Sequence, residues 1–110
     1  MHNEQEIYKL LEDTSVKIQE FLDANKITVA HADLMLQLEE LNSKMYDLDL
    51  ESIRQQSLHI MQFNDEIKVI KQNASDILEE LKSGNNLIKK TAQVASALDK
   101  ILTQLKKLLQ

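Results

Sequence analysis

Three histidines are the side chains of this sequence best suited to bind a metal or transfer protons, but their spacing serves neither purpose. His2, His31 and His59 lie far apart in the chain, whereas a metal-binding helix places its ligands three or four residues apart. A di-iron bundle would need Glu three residues before a His, and this chain has Thr28 and Gln56 there. Because cysteine is absent as well, no thiolate nucleophile or ligand is available. We therefore predict no catalytic residue, no metal site and no cofactor.

One acidic segment has the spacing of a calcium-binding loop over its first positions. Asp47, Asp49 and Glu51 alternate as the first three ligands of such a loop would. The sixth position is Ser52, where the loop needs glycine for its sharp turn, and the twelfth is Leu58, where it needs a bidentate Glu. We therefore predict that the segment is a solvated acidic kink and not a calcium site.

The composition also argues against phosphate and nucleic-acid binding. A single glycine cannot build the glycine-rich loops that cradle phosphate groups. The chain has 13 Lys and Arg against 18 Asp and Glu, and the resulting net charge of −5 opposes association with a polyanion. The aromatic residues available for stacking on bases are Tyr8, Phe21, Tyr46 and Phe63. We expect a protein that is not an enzyme and that binds neither nucleic acid nor a small-molecule ligand.

The pattern of apolar residues predicts an all-α fold. With 110 residues, no proline and one glycine, the chain lacks the turn residues that a sheet needs. Apolar residues instead recur at spacings of three and four. We predict a single domain that is an antiparallel three- or four-helix bundle or a helical rod with heptad seams. The domain covers 1–110 and its helices span about 4–24, 28–47, 50–83 and 87–109.

Polar residues predict where these helices begin and end. Asn3 with Glu6 has the spacing of an N-terminal capping pair, and Asn25 suits the end of the first helix. Gly84 follows the seam of the third helix, where a left-handed C-terminal cap favours glycine. That seam is uninterrupted and consists of Ile60, Phe63, Ile67, Ile70, Ala74, Ile77 and Leu81.

The register of apolar residues changes between Tyr46 and Ser52, and two layouts fit this change. In the first, one helix ends near Asp47, and Ser52 with Gln55 caps the next helix. In the second, the change is a stutter in one continuous helix over 28–82. Such a helix would be about 80 Å long, and the first and last helices would pack along its two halves.

The last helix has the widest apolar stripe. Its apolar positions cover close to half of the helix surface, so we predict that it packs against at least two neighbours. Both layouts leave apolar surface unburied in a monomer, which is typical of a protein interface. We therefore predict a homodimer or a complex with another protein. The predicted partner-binding residues are Val94, Leu98, Ile101, Leu105 and Leu108.

Positive charge is concentrated in the same helix. Between Asn86 and Gln110 five lysines stand against Asp99 alone, whereas the first half of the chain is acidic. A basic amphipathic helix can bind an anionic membrane or a calmodulin-like partner. Membrane contact is disfavoured because the segment has no Trp or Phe to anchor it among lipid headgroups. We favour packing of this helix beside the acidic half of its own chain or of a second copy.

Two functions are compatible with these observations. The first is an oligomeric protein–protein interaction or assembly module whose heptad seams form the interface. The alternative is a small chaperone or adaptor of a secretion or flagellar export system that binds its substrate through the C-terminal amphipathic helix, an analogy of size, acidity and helix content. Residues 1–6 are polar and acidic and do not resemble a secretory signal, and no apolar run is long enough to span a membrane. We therefore expect a cytoplasmic protein.

Overall fold

Four helices make up the described part of the protein. The computed structural model describes residues 3–25, 29–50 and 64–108. The helices are α1 (Asn3–Ala24), α2 (Val29–Leu50), α3 (Asn64–Lys82) and α4 (Leu87–Leu108). None of the described residues forms a strand, and the helices pack against one another in a compact unit. The prediction of an all-α helical bundle is confirmed.

The acidic segment near residue 47 belongs to a helix. α2 continues to Leu50, slightly beyond the approximate end predicted for the second helix, so Asp47 and Asp49 lie within a helix. The helix continues because residues 46–50 contain neither Gly nor Pro, and alternating Leu and Asp do not by themselves stop a helix. Leu50, the predicted start of the third helix, is the last residue of α2. The predicted cap of Ser52 with Gln55 lies outside the described residues.

The alternative of one continuous helix over 28–82 is wrong. Such a helix would be about 80 Å long, whereas the longest dimension of the described part of the chain, which includes both α2 and α3, is 41 Å. α2 and α3 are therefore separate helices within one bundle. His2, His59, and the seam residues Ile60 and Phe63 lie outside the described residues.

Side chains, and not a glycine conformation, cap the turn between α3 and α4. Gly84 does not have a positive φ, so the predicted left-handed cap at this residue is wrong. Instead, Ser83 Oγ donates to the carbonyl oxygen of Glu80 at 2.8 Å. Lys90 Nζ donates to the carbonyl oxygen of Ser83 at 3.0 Å. Asn86 Oδ1 accepts a hydrogen bond from the backbone N–H of Lys89 at 2.8 Å, which caps the start of α4.

The first helix ends in a similar way. Asn25 Nδ2 donates to the carbonyl oxygen of Phe21 at 2.6 Å, so the side chain satisfies a carbonyl of the last helical turn. This contact agrees with the predicted role of Asn25 at the end of α1. Thr28, predicted to start the next helix, lies outside the described residues.

The contacts between helices define their order and direction. α1 and α2 run antiparallel, since the end of α1 contacts the start of α2 through Phe21 and His31 and the middle of each contacts the other through Ser15 and Asn42. α3 and α4 also run antiparallel, since the end of α3 lies beside the start of α4. The two hairpins pack side by side, α1 beside α3 and α2 beside α4. His31 contacts Thr91 near the starts of α2 and α4, and Glu40 contacts Lys106 further along both helices, so this pair runs parallel. α1 and α3 also run parallel, because their C-terminal ends lie together. Both hairpin turns are therefore at the same end of the bundle.

The core lies between the four helices and is formed by one apolar stripe from each. The period of three and four places these side chains on one face of each helix, and burial of a Leu or Ile contributes about 1.5–3 kcal/mol. α1 contributes Ile7, Leu11, Ile18 and Leu22, and α2 contributes Leu34, Leu38, Leu41 and Met45. α3 contributes Ile67, Ile70, Ala74 and Ile77, and α4 contributes Val94, Ala97, Leu98, Ile101, Leu102, Leu105 and Leu108.

Candidate interaction surface

The residues predicted to bind a partner lie in the core of the bundle. Val94, Leu98, Ile101, Leu105 and Leu108 are each at most 3% exposed. Their burial follows from the position of α4, which packs against both α2 and α3, as its wide apolar stripe predicted. A partner reaches these side chains only when α4 leaves the bundle. In the folded chain, a docking surface must therefore be sought on the outside of the helices.

A buried polar contact joins α2 to α4 at the end of the bundle that carries the two turns. His31 is almost fully buried, with 1% of its surface exposed. Its Nε2 lies 3.1 Å from Thr91 Oγ1, and the Thr91 hydroxyl donates its proton to the carbonyl oxygen of Leu87 at 2.8 Å. Because a hydroxyl has one proton to donate, His31 Nε2–H is the donor to Thr91. The Phe21 ring packs edge-on against the imidazole at 5.5 Å.

Two further polar contacts tie neighbouring helices together. Ser15 Oγ donates to Asn42 Oδ1 at 2.7 Å, between α1 and α2. Gln37 Nε2 donates to the carbonyl oxygen of Ala95 at 3.1 Å, between α2 and α4. Sequence analysis identified neither contact, because the two partners of each contact are far apart in the chain. Both are structural contacts that set the register of the helices.

Charge is arranged across helices as expected for a basic helix packed beside an acidic one. Lys106 on α4 lies 3.5 Å from Glu40 on α2. Both side chains are more than a third exposed, so the pair contributes little to stability. The pair does show that the basic last helix packs beside the acidic half of its own chain.

An apolar groove on the outside of the described bundle lies between α1 and α3, near their C-terminal ends. This α1–α3 groove has a volume of about 730 Å³. Its floor consists of Phe21, Leu78 and Leu81, which are half-buried. Val16, which is 49% exposed, borders both this groove and a smaller one between α1 and α2. The groove exists because each of the two parallel helices buries one stripe of side chains in the core and leaves the neighbouring stripe exposed to solvent.

Charged side chains form the walls of the α1–α3 groove. The α1 wall carries Asp13 and Glu20, together with Lys17, whose Nζ lies 3.5 Å from a carboxylate oxygen of Glu20. The α3 wall carries Lys82. The groove thus combines an apolar floor with charged margins of different composition on its two sides. That combination is typical of the centre and the rim of a protein interface.

Other surface features are more isolated or more polar. Leu36 is 65% exposed, Tyr46 63% and Ile88 81%, and Tyr46 lies with Val16 beside a groove between α1 and α2. A smaller groove of about 370 Å³ between α1 and α2 includes Tyr46. The groove between α3 and α4, about 440 Å³, is lined mainly by polar side chains. Sequence analysis did not identify the α1–α3 groove, because nothing in the sequence indicates which helices are neighbours.

Two classes of site are not found among the described residues. They contain no cluster of three or more His, Cys, Asp or Glu side chains arranged to hold a metal ion. No helix in the described part of the chain has both the length and the apolarity needed to cross a bilayer. Comparison with protein-family models, with curated proteins and with solved structures finds no match to this chain.

Proposed function

We propose that this protein is a non-enzymatic, cytoplasmic protein–protein interaction or assembly module that is oligomeric and binds through the outside of its helical bundle. The observation that supports this proposal is the α1–α3 groove, with its apolar floor and charged walls. Among the described residues, nineteen apolar side chains are buried in the core, and the groove is apolar surface outside that core. An apolar centre with charged margins is the usual composition of a protein interface.

The shape of the groove favours a helical ligand surface. A groove between two helices accepts the ridge of side chains from a third helix, whose apolar residues recur at spacings of three and four. Phe21, Leu78 and Leu81 would contact that ridge, and the charged walls would lie beside its polar flanks. The proposed activity is therefore recognition of a helix surface on a protein.

The chaperone or adaptor alternative would use α4 as the substrate-binding element. The apolar stripe of α4 is part of the core, so this mode of binding requires α4 to leave the bundle. Each buried Leu or Ile exposed in that step would cost about 1.5–3 kcal/mol. Binding at the α1–α3 groove has no such cost, and we therefore favour it.

A pair of matched variants tests the proposed function. Val16→Asp places a charge at a half-exposed position where α1 borders the α1–α3 groove and the smaller α1–α2 groove. Leu36→Asp places the same charge at an exposed position of α2 that lines neither groove. Each variant is used to purify complexes from the native lysate, and light scattering gives mass and stoichiometry. We expect wild type and Leu36→Asp to be recovered in a stoichiometric assembly, with itself or with a partner, and Val16→Asp to lose it.

Circular dichroism during thermal melting supplies the control for folding. Surface substitutions typically change stability by no more than about 0.5 kcal/mol, so both variants should melt close to the wild type. Recovery of wild type as a monomer without a stoichiometric partner would contradict the proposal. Equal assembly of both variants would contradict the role of the groove.

A further inference from the structure

We propose that a second groove, between α1 and α2, binds an arginine side chain that a partner protein presents. This α1–α2 groove has a volume of about 370 Å³ and is lined by Tyr8, Glu12, Ser15, Val16, Asn42, Met45 and Tyr46. Its second wall is α2 and not α3, so it is distinct from the α1–α3 groove. The inference goes beyond the proposed function, because it assigns a second site and the chemistry of its ligand.

Both tyrosines of the chain line this one groove. Tyr8 and Tyr46 lie far apart in the sequence, which contains no further tyrosine and no tryptophan. Tyr8 is half-buried and packs against the edge of the core, whereas Tyr46 is 63% exposed. Tyrosine is enriched in protein interfaces because its ring is apolar and its hydroxyl tolerates water. The ring of Tyr46 therefore offers aromatic surface that the described bundle leaves open.

The hydrogen bond between Ser15 and Asn42 determines which side chains face one another across the groove. Ser15 Oγ donates to Asn42 Oδ1 at 2.7 Å, and the two helices run antiparallel. Tyr46 follows Asn42 by four residues, so it lies level with the α1 residue that precedes Ser15 by four. That level is between Tyr8 and Glu12, which lie one turn apart on one face of α1, about 6 Å along the axis. A ligand beside Tyr46 therefore meets Tyr8 and Glu12 on the opposite wall.

The charge of the α1–α2 groove is negative and not balanced. Among the described residues that line it, Glu12 is the one that carries a charge, and its side chain is exposed. Glu12 forms no ion pair with any described residue. Lys9 on α1 and Lys44 on α2 are not among the residues that line the groove. An exposed carboxylate beside aromatic rings is complementary to a cation, which the faces of the rings also attract.

The main polar groups that the groove offers to a ligand are acceptors. Ser15 Oγ uses its proton in the bond to Asn42, so its remaining capacity is that of an acceptor. The carboxylate of Glu12 only accepts, and tyrosine hydroxyls can accept. A guanidinium has several N–H donors, no acceptor and a plane that stacks on aromatic rings. It therefore fits better than a lysine ammonium, which is more strongly hydrated, or a quaternary ammonium, which has no N–H to donate.

The size of the groove suits one side chain. Its volume of about 370 Å³ is about half that of the α1–α3 groove, which is about 730 Å³. The apolar stem of an arginine can lie along Val16 while its guanidinium reaches Tyr46 and Glu12. Arginine and tyrosine are among the residues that dominate the energetics of protein interfaces, which favours a protein as the source of the arginine.

Tyrosine fluorescence reports on this groove alone, because the chain has no tryptophan and both tyrosines line the groove. The probes are capped alanine peptides that differ in one central residue, which is arginine, lysine or norleucine. We expect the arginine peptide to change the fluorescence with a dissociation constant at least about fivefold below that of the norleucine peptide. Its dissociation constant should also be lower than that of the lysine peptide.

Variants of the groove test the two groups that hold the cation. Glu12→Gln removes the charge and keeps the shape, and should raise the dissociation constant of the arginine peptide at least about fivefold. Tyr46→Leu should also weaken binding, with Tyr8 as the remaining reporter. Glu39→Gln removes a charge from an exposed position of α2 outside the groove, and this matched control should bind as wild type does. Thermal melting followed by circular dichroism should be alike for all, because the substituted side chains are exposed.

Every other result overturns the inference. An arginine peptide that leaves the fluorescence unchanged would show that the groove does not bind it. Equal binding of the norleucine or the lysine peptide would remove the preference for arginine, and unchanged binding by Glu12→Gln would remove the role of the carboxylate. Arg54 is the single arginine of the chain, and a fluorescence change in Arg54→Gln without peptide would assign the groove to the chain itself.

These results do not depend on the proposed function. The floor of the α1–α3 groove consists of Phe21, Leu78 and Leu81, which do not line the α1–α2 groove. Loss of arginine binding in Glu12→Gln with an unchanged assembly from the lysate would therefore support the second site and leave the α1–α3 groove to its own test.

Discussion

The two pairs of parallel helices in this bundle, α2 with α4 and α1 with α3, differ in the contacts between their two members. Between α2 and α4, His31 contacts Thr91 in the interior, Gln37 donates to Ala95, and Glu40 pairs with Lys106 at the surface. Between α1 and α3, the same parallel arrangement opens outward into an apolar groove. Polar contacts therefore hold α2 against α4, whereas the α1–α3 side has apolar surface available to a partner.

The largest expected loss of stability comes from a substitution in the core stripe of α4, which is buried, whereas the groove is open to solvent. Leu98→Asp buries an unpaired charge at a fully buried position, and we expect a loss of more than about 4 kcal/mol in the free energy of unfolding, enough to unfold the protein. Urea denaturation followed by circular dichroism measures it. Ala92→Asp, at an exposed position of the same helix, is the control. A folded Leu98→Asp protein would show that α4 is not held in the core.

An intermediate effect is expected at the buried contact between α2 and α4. Thr91→Val keeps the shape of the side chain but removes the hydroxyl that accepts from His31 Nε2–H, which leaves a buried donor unsatisfied and costs about 1–3 kcal/mol. The double variant His31→Leu with Thr91→Val should lose less than the two single variants together. Strict additivity in urea denaturation would show that the two side chains do not act as a pair.

The smallest effect is expected at the surface pair of the same two helices. Glu40→Gln removes the charge opposite Lys106, and because both side chains are more than a third exposed, we expect a loss below about 0.5 kcal/mol. The loss should shrink further in high salt. A loss of stability as large as that of Thr91→Val would mean that the surface ion pair, and not the buried contact, holds α2 against α4.

Much of the fold could be predicted from the sequence because helix period and core position are local properties. The spacing that placed Leu98, Ile101 and Leu105 on one stripe also placed them in the core. The same spacing could not tell whether that stripe packs within the chain or against a second protein, because a heptad seam has the same pattern in both cases. The prediction that this stripe binds a partner required knowing whether it packs within the chain, which the spacing does not reveal.

The candidate site could not be predicted because it depends on which helices are neighbours. Val16 and Leu78 lie far apart in the chain and share a groove only because α1 packs beside α3. The contact of His31 with Thr91 spans 60 residues for the same reason. At Gly84 the residue type favoured a left-handed cap, but side-chain caps from Ser83 and Asn86 satisfied the turn instead.

The placement of both hairpin turns at one end of the bundle has a consequence for the order of folding. Each hairpin joins helices that are adjacent in the chain, so its contacts close short loops and form early. The contact of His31 with Thr91, 60 residues apart, joins one hairpin to the other and requires both to be in place. Substitutions at this contact should therefore accelerate unfolding while leaving the folding rate nearly unchanged.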